Sequence, residues 1–436
     1  MTSRPASGQL RCAGDCDRDG VVRIDELIQG VRRALGALPS DACIPADASG
    51  DGLVGVDELV AAVRRAIDGC VAEAVTRRAV AVTYANLLFA NYRESERLAR
   101  ELRDAVNAFL EDPTQNGLEA AKAAWIVARP IYLQTEMARF YGGPIDNEED
   151  GPEGLLNAWP LDEAYIDYVE SDPLAGTIND PATFPEISRE LLVSLNELEG
   201  EDSISTGWHA IEFLLWGQDL DPDGPGSRPF TDYVTGAGGT AANQQRRATY
   251  LRVVADLLVD NLRQVKDAWA PGRADNYRAE FLSIDADQAL RRILTGMGTL
   301  SGGELTGERL AVPFDTKDQE DEHSCFSDNT HIDHRFDATG IQNAYLGRYG
   351  TLNGPGISDL VRHLDPTLDD RARATIQAAV DAVFAIPPPF ERAIRGADDA
   401  PGRVAIAAAI DALNAQTDVI GEVAQALGIP ISTTLP

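Results

Sequence analysis

The segment Gly207-Trp208-His209-Ala210-Ile211-Glu212-Phe213-Leu214-Leu215-Trp216-Gly217 says what kind of protein this chain can be. Between its two glycines every residue is apolar except His209 and Glu212. A segment apolar on all sides is a helix buried inside a helical protein, not one lying on its surface. His209 and Glu212 are three apart, so a helix sets them on one face, about one turn from each other. A buried carboxylate is costly unless it is paired, protonated or bound to a cation. Imidazole and carboxylate converging in an apolar helix therefore make half of a metal site, or an acid–base pair. A core histidine hydrogen-bonded to a core carboxylate accounts for the two residues equally well.

On either side the pattern is helical from residue 73 onward. Residues 77–110 place apolar side chains at helical spacing with no internal Pro or Gly, and end at Asp112-Pro113. A second long helix is expected over 118–141, with Pro130 its candidate bend, and a third over 185–198. Beyond the Gly/Thr stretch 235–240, helices are expected over 241–269, 287–310, 369–390 and 401–427. Nothing alternates with period two for long, so strands are minor. The expected fold is all-α, two packed helical bundles over 73–238 and 239–436, behind a small module over 1–72.

The formal net charge of −32 leaves no basic face for nucleic acid and suits cations as ligands. No run approaches the ~18 apolar residues of a membrane span. Residues 1–10 are short and mostly polar, with no apolar core of a secretory signal. Yet four of the five cysteines, Cys12, Cys16, Cys43 and Cys70, crowd into the first 70 residues. That is the pattern of a disulfide-stapled module in an oxidising compartment. An envelope, periplasmic or secreted location follows as an expectation, and Cys325 stands alone.

The same 70 residues hold a repeat. Asp15, Asp17, Asp19, Val21 and Glu26 take positions 1, 3, 5, 7 and 12 of a loop with Gly20 at position 6. Asp47, Ser49, Asp51, Leu53 and Glu58 repeat the scheme around Gly52. A 12-residue loop of this kind supplies the six to eight oxygens calcium needs, with a bidentate carboxylate at its last position. Each loop runs into an apolar-patterned helix, over 27–35 and 59–67. The duplicated loop-then-helix resembles dockerin modules, which implies calcium as a cofactor and a protein partner. Dockerin loops usually end in Asp, whereas Glu26 and Glu58 stand here.

Three further segments could feed a central site. Trp125, Arg129, Tyr132, Glu136 and Arg139 are spaced three or four apart. Trp125 and Tyr132 read as a stacked surface with Arg129, and Glu136 as a contributor to a buried site. Gly302, Gly303 and Gly307 interrupt a helix, which costs ~1 kcal/mol each and implies close packing there. Glu304 and Glu308 then face inward or toward an interface. The segment 320–334 brings three of the five histidines together with carboxylates. His323 and Asp328 serve either as metal ligands or as a polar loop capping helices. His331 and His334 read as loop histidines in polar surroundings.

Taken together, Trp125…Arg129…Tyr132…Glu136…Arg139-Phe140, Gly143-Pro144-Ile145-Asp146, Gly207-Trp208-His209-Ala210-Ile211-Glu212, Gly307-Glu308-Arg309 and the run 318–330 resemble the imelysin family, in its iron-regulated protein A branch. The resemblance spans roughly residues 75–430. It implies two helical bundles with the Gly-x-His-x-x-Glu motif in a pocket where they meet, an envelope location and a link to bacterial iron uptake. It also implies a metallopeptidase label. The residues support that label incompletely: Phe213 follows Glu212, so the His-x-x-Glu-His zinc motif lacks its second histidine. Three readings follow. One is a metal-binding protein holding iron or zinc through His209, Glu212, Glu136, Glu308, His323 and Asp328. The second is a zinc peptidase using the same residues, and the third a calcium-docked interaction protein.

Overall fold

The computed structural model describes residues 12–17, 21–39, 42–47, 53–69 and 75–435. Asp19, Ser49, Asp51 and Cys70, assigned above to the calcium loops and the cysteine module, lie outside the described residues. In the N-terminal module, helices α1 (Ile24–Ala34) and α2 (Val56–Asp68) pack on each other. Their small core is Cys43, Ala46 and Val54, with Cys16 and Leu59 against it, stapled by a Cys16–Cys43 disulfide. Cys12 is also disulfide-bonded. Ile24, Ile28 and Val31 on α1, with Leu35 just past its end, are exposed, and so are Val56, Val60, Val63 and Ile67 at the same register of α2.

The rest of the chain is helical, with one two-residue hairpin, Arg348–Tyr349 against Leu352–Asn353, as its sheet among the described residues. Helix α3 (Arg77–Glu111) starts at Thr76, whose hydroxyl accepts from the Ala79 amide at 3.1 Å. Helix α4 (Gln115–Leu133) returns along it and continues helically through Pro130. Short helices α5 (Glu153–Leu156), α6 (Glu163–Ile166) and α7 (Arg189–Leu195) lead to α8 (Gly207–Trp216). Next come α9 (Gln244–Ala268), α10 (Tyr277–Ser283) and α11 (Ala286–Thr299). Helix α11 runs on as a π-helix over Leu300–Ala311 and into α12 (Val312–Thr316). The chain closes with α13 (Thr330–Leu346), α14 (Ile357–Leu364), α15 (Pro366–Ala385), α16 (Phe390–Ile394) and α17 (Pro401–Ala426).

The helices expected over 77–110, 241–269 and 401–427 form nearly as read. The one expected over 118–141 stops at Leu133, and a separate 3₁₀ turn (Glu136–Ala138) follows. Glu136 therefore leaves the helical stripe that holds Trp125, Arg129 and Tyr132. Those three form no surface stack: each is fully buried. Helices α13 and α14 occupy segments read as loop or left unassigned.

Beyond the N-terminal module, two cores are present among the described residues, but the division expected near residue 239 does not coincide with the packing. Helix α9 lies along α3, so the first core takes in residues on both sides of the Gly/Thr stretch. The second core gathers Leu305 and Leu310 of the π-helix, Ala338 of α13, and α15 to α17. The glycines of the π-helix do allow close packing: a Cβ on Gly302 would stand 2.8 Å from Thr417 Cγ2, and one on Gly303 2.8 Å from Leu435 Cγ.

Candidate functional site

Helix α8 is buried at every position from Gly207 to Trp216, as its all-round apolar sequence requires. Gly207 opens it at φ +88°, and a Cβ there would stand 2.6 Å from the Leu156 carbonyl oxygen. Only glycine combines that left-handed backbone with so close an approach. Gly217, at φ +78°, ends the helix. Trp125, on α4, donates its indole N–H to the Trp208 carbonyl at 3.1 Å, fixing α8 against α4.

His209 and Glu212 meet as their spacing predicts, with Nδ1 3.0 Å from Glu212 Oε2. The other side of the imidazole faces Arg129, whose Nη2 is 3.2 Å from His209 Nε2. A guanidinium only donates, so Nε2 accepts and the proton sits on Nδ1, directed at Glu212. Glu212 Oε1 accepts from both the amide (3.0 Å) and the hydroxyl (2.6 Å) of Ser327. Burial nevertheless dominates and pushes the Glu212 carboxyl up to about 8 against the pull of Ser327 and Arg129. Burial, with Arg129 and His323 nearby, holds His209 neutral, well below the usual imidazole range.

His323 arrives from the segment before α13 and faces His209, their ring centroids 4.8 Å apart. Its Nδ1 lies 2.7 Å from Asp333 Oδ2 on α13, to which it donates. The same oxygen accepts from Arg129 Nη2 at 2.8 Å and Ser324 Oγ at 2.7 Å. Arg129 also comes within 3.3 Å of His323 Nδ1, and its other Nη binds Asn157 Oδ1. His323 is held through Nδ1, and Asp333 Oδ1 is buried with no hydrogen-bond partner. Trp159 walls the pocket, 4.9 Å from the His209 ring and 5.8 Å from Phe326 between centroids. Two neutral imidazoles thus have their Nδ1–H groups held by carboxylates while both Nε2 atoms carry lone pairs. That is how metal-ligating histidines are usually oriented.

The other expected ligands lie elsewhere. Glu136 is fully buried, but its Oε2 is shared by Arg139 (2.8 Å) and Arg309 (2.7 Å). Burial would raise its carboxyl, yet the two arginines outweigh burial and hold it low, while Oε1 has no hydrogen-bond partner. Glu308 is exposed to solvent, because the π-helix turns it away from the core; Arg309 points inward instead, to Asp337 at 2.8 Å. Asp328, at φ +55°, is half-buried. His334, read as a loop residue, is fully buried on α13 against Phe390, ring centroids 4.7 Å apart. His331 is half-buried on the first turn of α13. The sequence reading missed Arg129 as the centre of the site and Asp333 altogether. The run 330–346, with Asp333 and Asp337 one turn apart, was the available signal.

In the N-terminal module Asp15, Asp17 and Glu26 bring carboxylate oxygens within 4.8 Å of one another. No other group of three such donors is gathered so closely among the described residues, the imidazole pocket included. Glu26 Oε1 accepts from the amides of Cys16 (2.7 Å) and Asp17 (3.1 Å), and Oε2 from Arg23 (2.8 Å). Glu58 repeats the helix-capping bond, accepting from the Gly55 amide at 2.8 Å. At the first position of the second loop, Asp47 is ion-paired with Arg33 at 3.0 Å, both side chains 6% exposed. Val21 and Leu53 are both exposed.

The family model described as imelysin matches residues 88–420. Iron-regulated protein A of Synechococcus elongatus is 27% identical over 333 residues, which cover 74% of this chain and 78% of that protein. A crystal structure described as an iron-regulated protein A precursor from Parabacteroides distasonis superposes with a TM-score of 0.63 at 20% identity. It covers 80% of this chain and 94% of its own. An imelysin-like protein from Psychrobacter arcticum superposes with a TM-score of 0.57 at 13% identity, covering 82% and 98%.

Proposed function

The chain belongs to the imelysin family, and from that premise we propose that it binds a transition-metal ion, iron above all, between His209 and His323 for iron acquisition. The observation that carries this reading is the pairing of two neutral imidazoles, each backed at Nδ1 by a buried carboxylate. Imidazole nitrogens suit iron and zinc alike. The residues fit such an ion with a refinement: Glu212 and Asp333 orient the ligands, and Glu136, Glu308 and Asp328 serve elsewhere. Two protein ligands leave coordination positions for water or for a carried anion, which suits a protein that takes up and releases its ion. The name of the Synechococcus relative supports iron over other metals.

A periplasmic or other envelope location is part of the proposal, supported by the Cys16–Cys43 disulfide. No helix among the described residues is long and apolar enough to cross a membrane. Calcium is the proposed cofactor of the N-terminal module, supported by the gathering of Asp15, Asp17 and Glu26. That module would tether the chain to a protein partner. The peptidase reading has less support, since both Glu212 oxygens are engaged. One observation favours a metal-free network instead: Arg129 already touches both imidazoles and Asp333.

Elemental analysis after reconstitution with iron or zinc separates these readings. About one ion per chain, lost in His209→Ala/His323→Ala, supports the proposal. Equal metal content in both proteins rejects it in favour of the Arg129 network. Peptide turnover abolished by chelation and by His209→Ala would restore the peptidase.

A further inference from the structure

Helices α1 and α2 carry their amphipathic pattern inverted. Glu26 and Arg33 of α1 and Glu58 of α2 are buried. The two glutamates accept from backbone amides of their loops, and Arg33 binds Asp47 and the Cys43 carbonyl, both at 3.0 Å. The large apolar side chains turn outward instead: Ile24, Ile28, Val31 and the capping Leu35, then Val56, Val60, Val63 and Ile67 at the same register, each 43–78% exposed. Ten of the twenty large apolar side chains exposed among the described residues lie before residue 70. A helix that met only water would present its charges there, so the concentration of apolar surface marks an interaction face.

The spacing says what kind of partner fits. In both stripes the exposed apolar positions are separated by four, three and four residues, the a/d seam of a helix that packs on another helix. Each seam covers less than two heptads, too short to hold a partner alone, so the two act together. The charges beside the seam choose the partner. Asp25 and Arg32 are seven residues apart and both exposed, so they share one flank of the α1 seam, the acid at its amino end and the base at its carboxyl end. Arg64, also exposed, repeats Arg32 on α2. An antiparallel copy of α1 sets its Arg32 opposite Asp25 and its Asp25 opposite Arg32, whereas a parallel copy gathers like charges at one end. The seam is complementary to itself.

We propose that this face joins two copies of the chain as a two-fold pair, α1 lying antiparallel on α1 of the second copy and α2 on its α2. The apolar stripes supply the adhesion, and the Asp25–Arg32 pairs set the direction and select against helices of another charge pattern. The inference rests on the reading of the module as a docking device and names its partner. It is independent of whether His209 and His323 bind iron.

Sedimentation velocity on the full chain with calcium present tests this, with the wild type beside Ile28→Glu/Val60→Glu, Asp25→Arg and Arg32→Asp. All four positions are exposed, and circular dichroism checks that each variant keeps the wild-type helical content. The wild type should sediment as a dimer and Ile28→Glu/Val60→Glu as a monomer. Asp25→Arg and Arg32→Asp should each weaken pairing about tenfold or more. Mixing those two variants should restore the dimer, because each altered charge then meets its opposite. A wild type that stays monomeric overturns the inference and leaves the stripes to a different protein, with the docking reading intact. A dimer that survives Ile28→Glu/Val60→Glu, or charge variants that do not rescue each other, overturns it as well.

Discussion

His209 and His323, from helix α8 and from the loop before α13, stand face to face with ring centroids 4.8 Å apart. Each is steadied from behind, His209 by Glu212 and His323 by Asp333. Distant stretches of chain thus build one pocket, and the carboxylates set which nitrogen of each ring is offered.

Asp333 acts on the metal through His323. Asp333→Asn should weaken zinc or iron binding about 10–100-fold while leaving the ligand set intact. Competition against a chromogenic chelator measures this. An affinity equal to wild type would mean that His323 is oriented by something else.

Arg129 is the cation of the pocket as it stands. Arg129→Met leaves Asp333 buried without its partner and should cost about 3–5 kcal/mol of stability. Added zinc should recover part of that loss, because an ion beside the imidazoles compensates Asp333. Chemical denaturation with and without zinc gives both numbers.

The far end of α8 is anchored by another buried ion cluster, with consequences for pH. Asp167 accepts from Arg228 at 2.7 Å and from Arg247 at 2.6 and 2.8 Å. Burial alone would raise its carboxyl, but the two guanidiniums outweigh burial and hold it below the ordinary value. A depressed carboxyl contributes stability above its unfolded pKa of ~3.9, and that contribution is lost as pH falls through the folded value. Asp167→Asn should therefore cost about 3–5 kcal/mol near neutrality. The gap to wild type should close as pH drops below about 4. Urea melts at several pH values check the convergence.

Calcium at the second N-terminal loop should compete with a buried arginine. Arg33 occupies Asp47, the first ligand of the second loop, so calcium there must displace an ion pair. Calorimetry should show that Arg33→Ala strengthens calcium binding by the module. Calcium binding unchanged by that substitution would contradict the assignment.

Much of this was legible in the sequence because burial leaves a pattern. The apolar run of α8 announced its own burial, and the spacing of His209 and Glu212 gave their contact. Long uninterrupted periodicity gave α3, α9 and α17 nearly to their ends. What remained hidden was set by tertiary structure. Trp125, Arg129 and Tyr132 looked like a surface stripe because a buried arginine has no local signature; only Asp333 and Asn157, far along the chain, make it tolerable there. Glu308 and Arg309 are neighbours, and the π-helical turn decides which of them points inward. Asp333 and His334 were obscured because α13 is polar on much of its surface, its charges being satisfied across the pocket and not by water.

X-ray absorption at the zinc edge on the zinc-loaded full chain, wild type beside His209→Ala/His323→Ala, tests the central claim most directly. The account predicts two imidazole scattering pathways in the wild type and none in the variant. A first shell made of oxygen alone, or a spectrum unchanged by the double substitution, would contradict it.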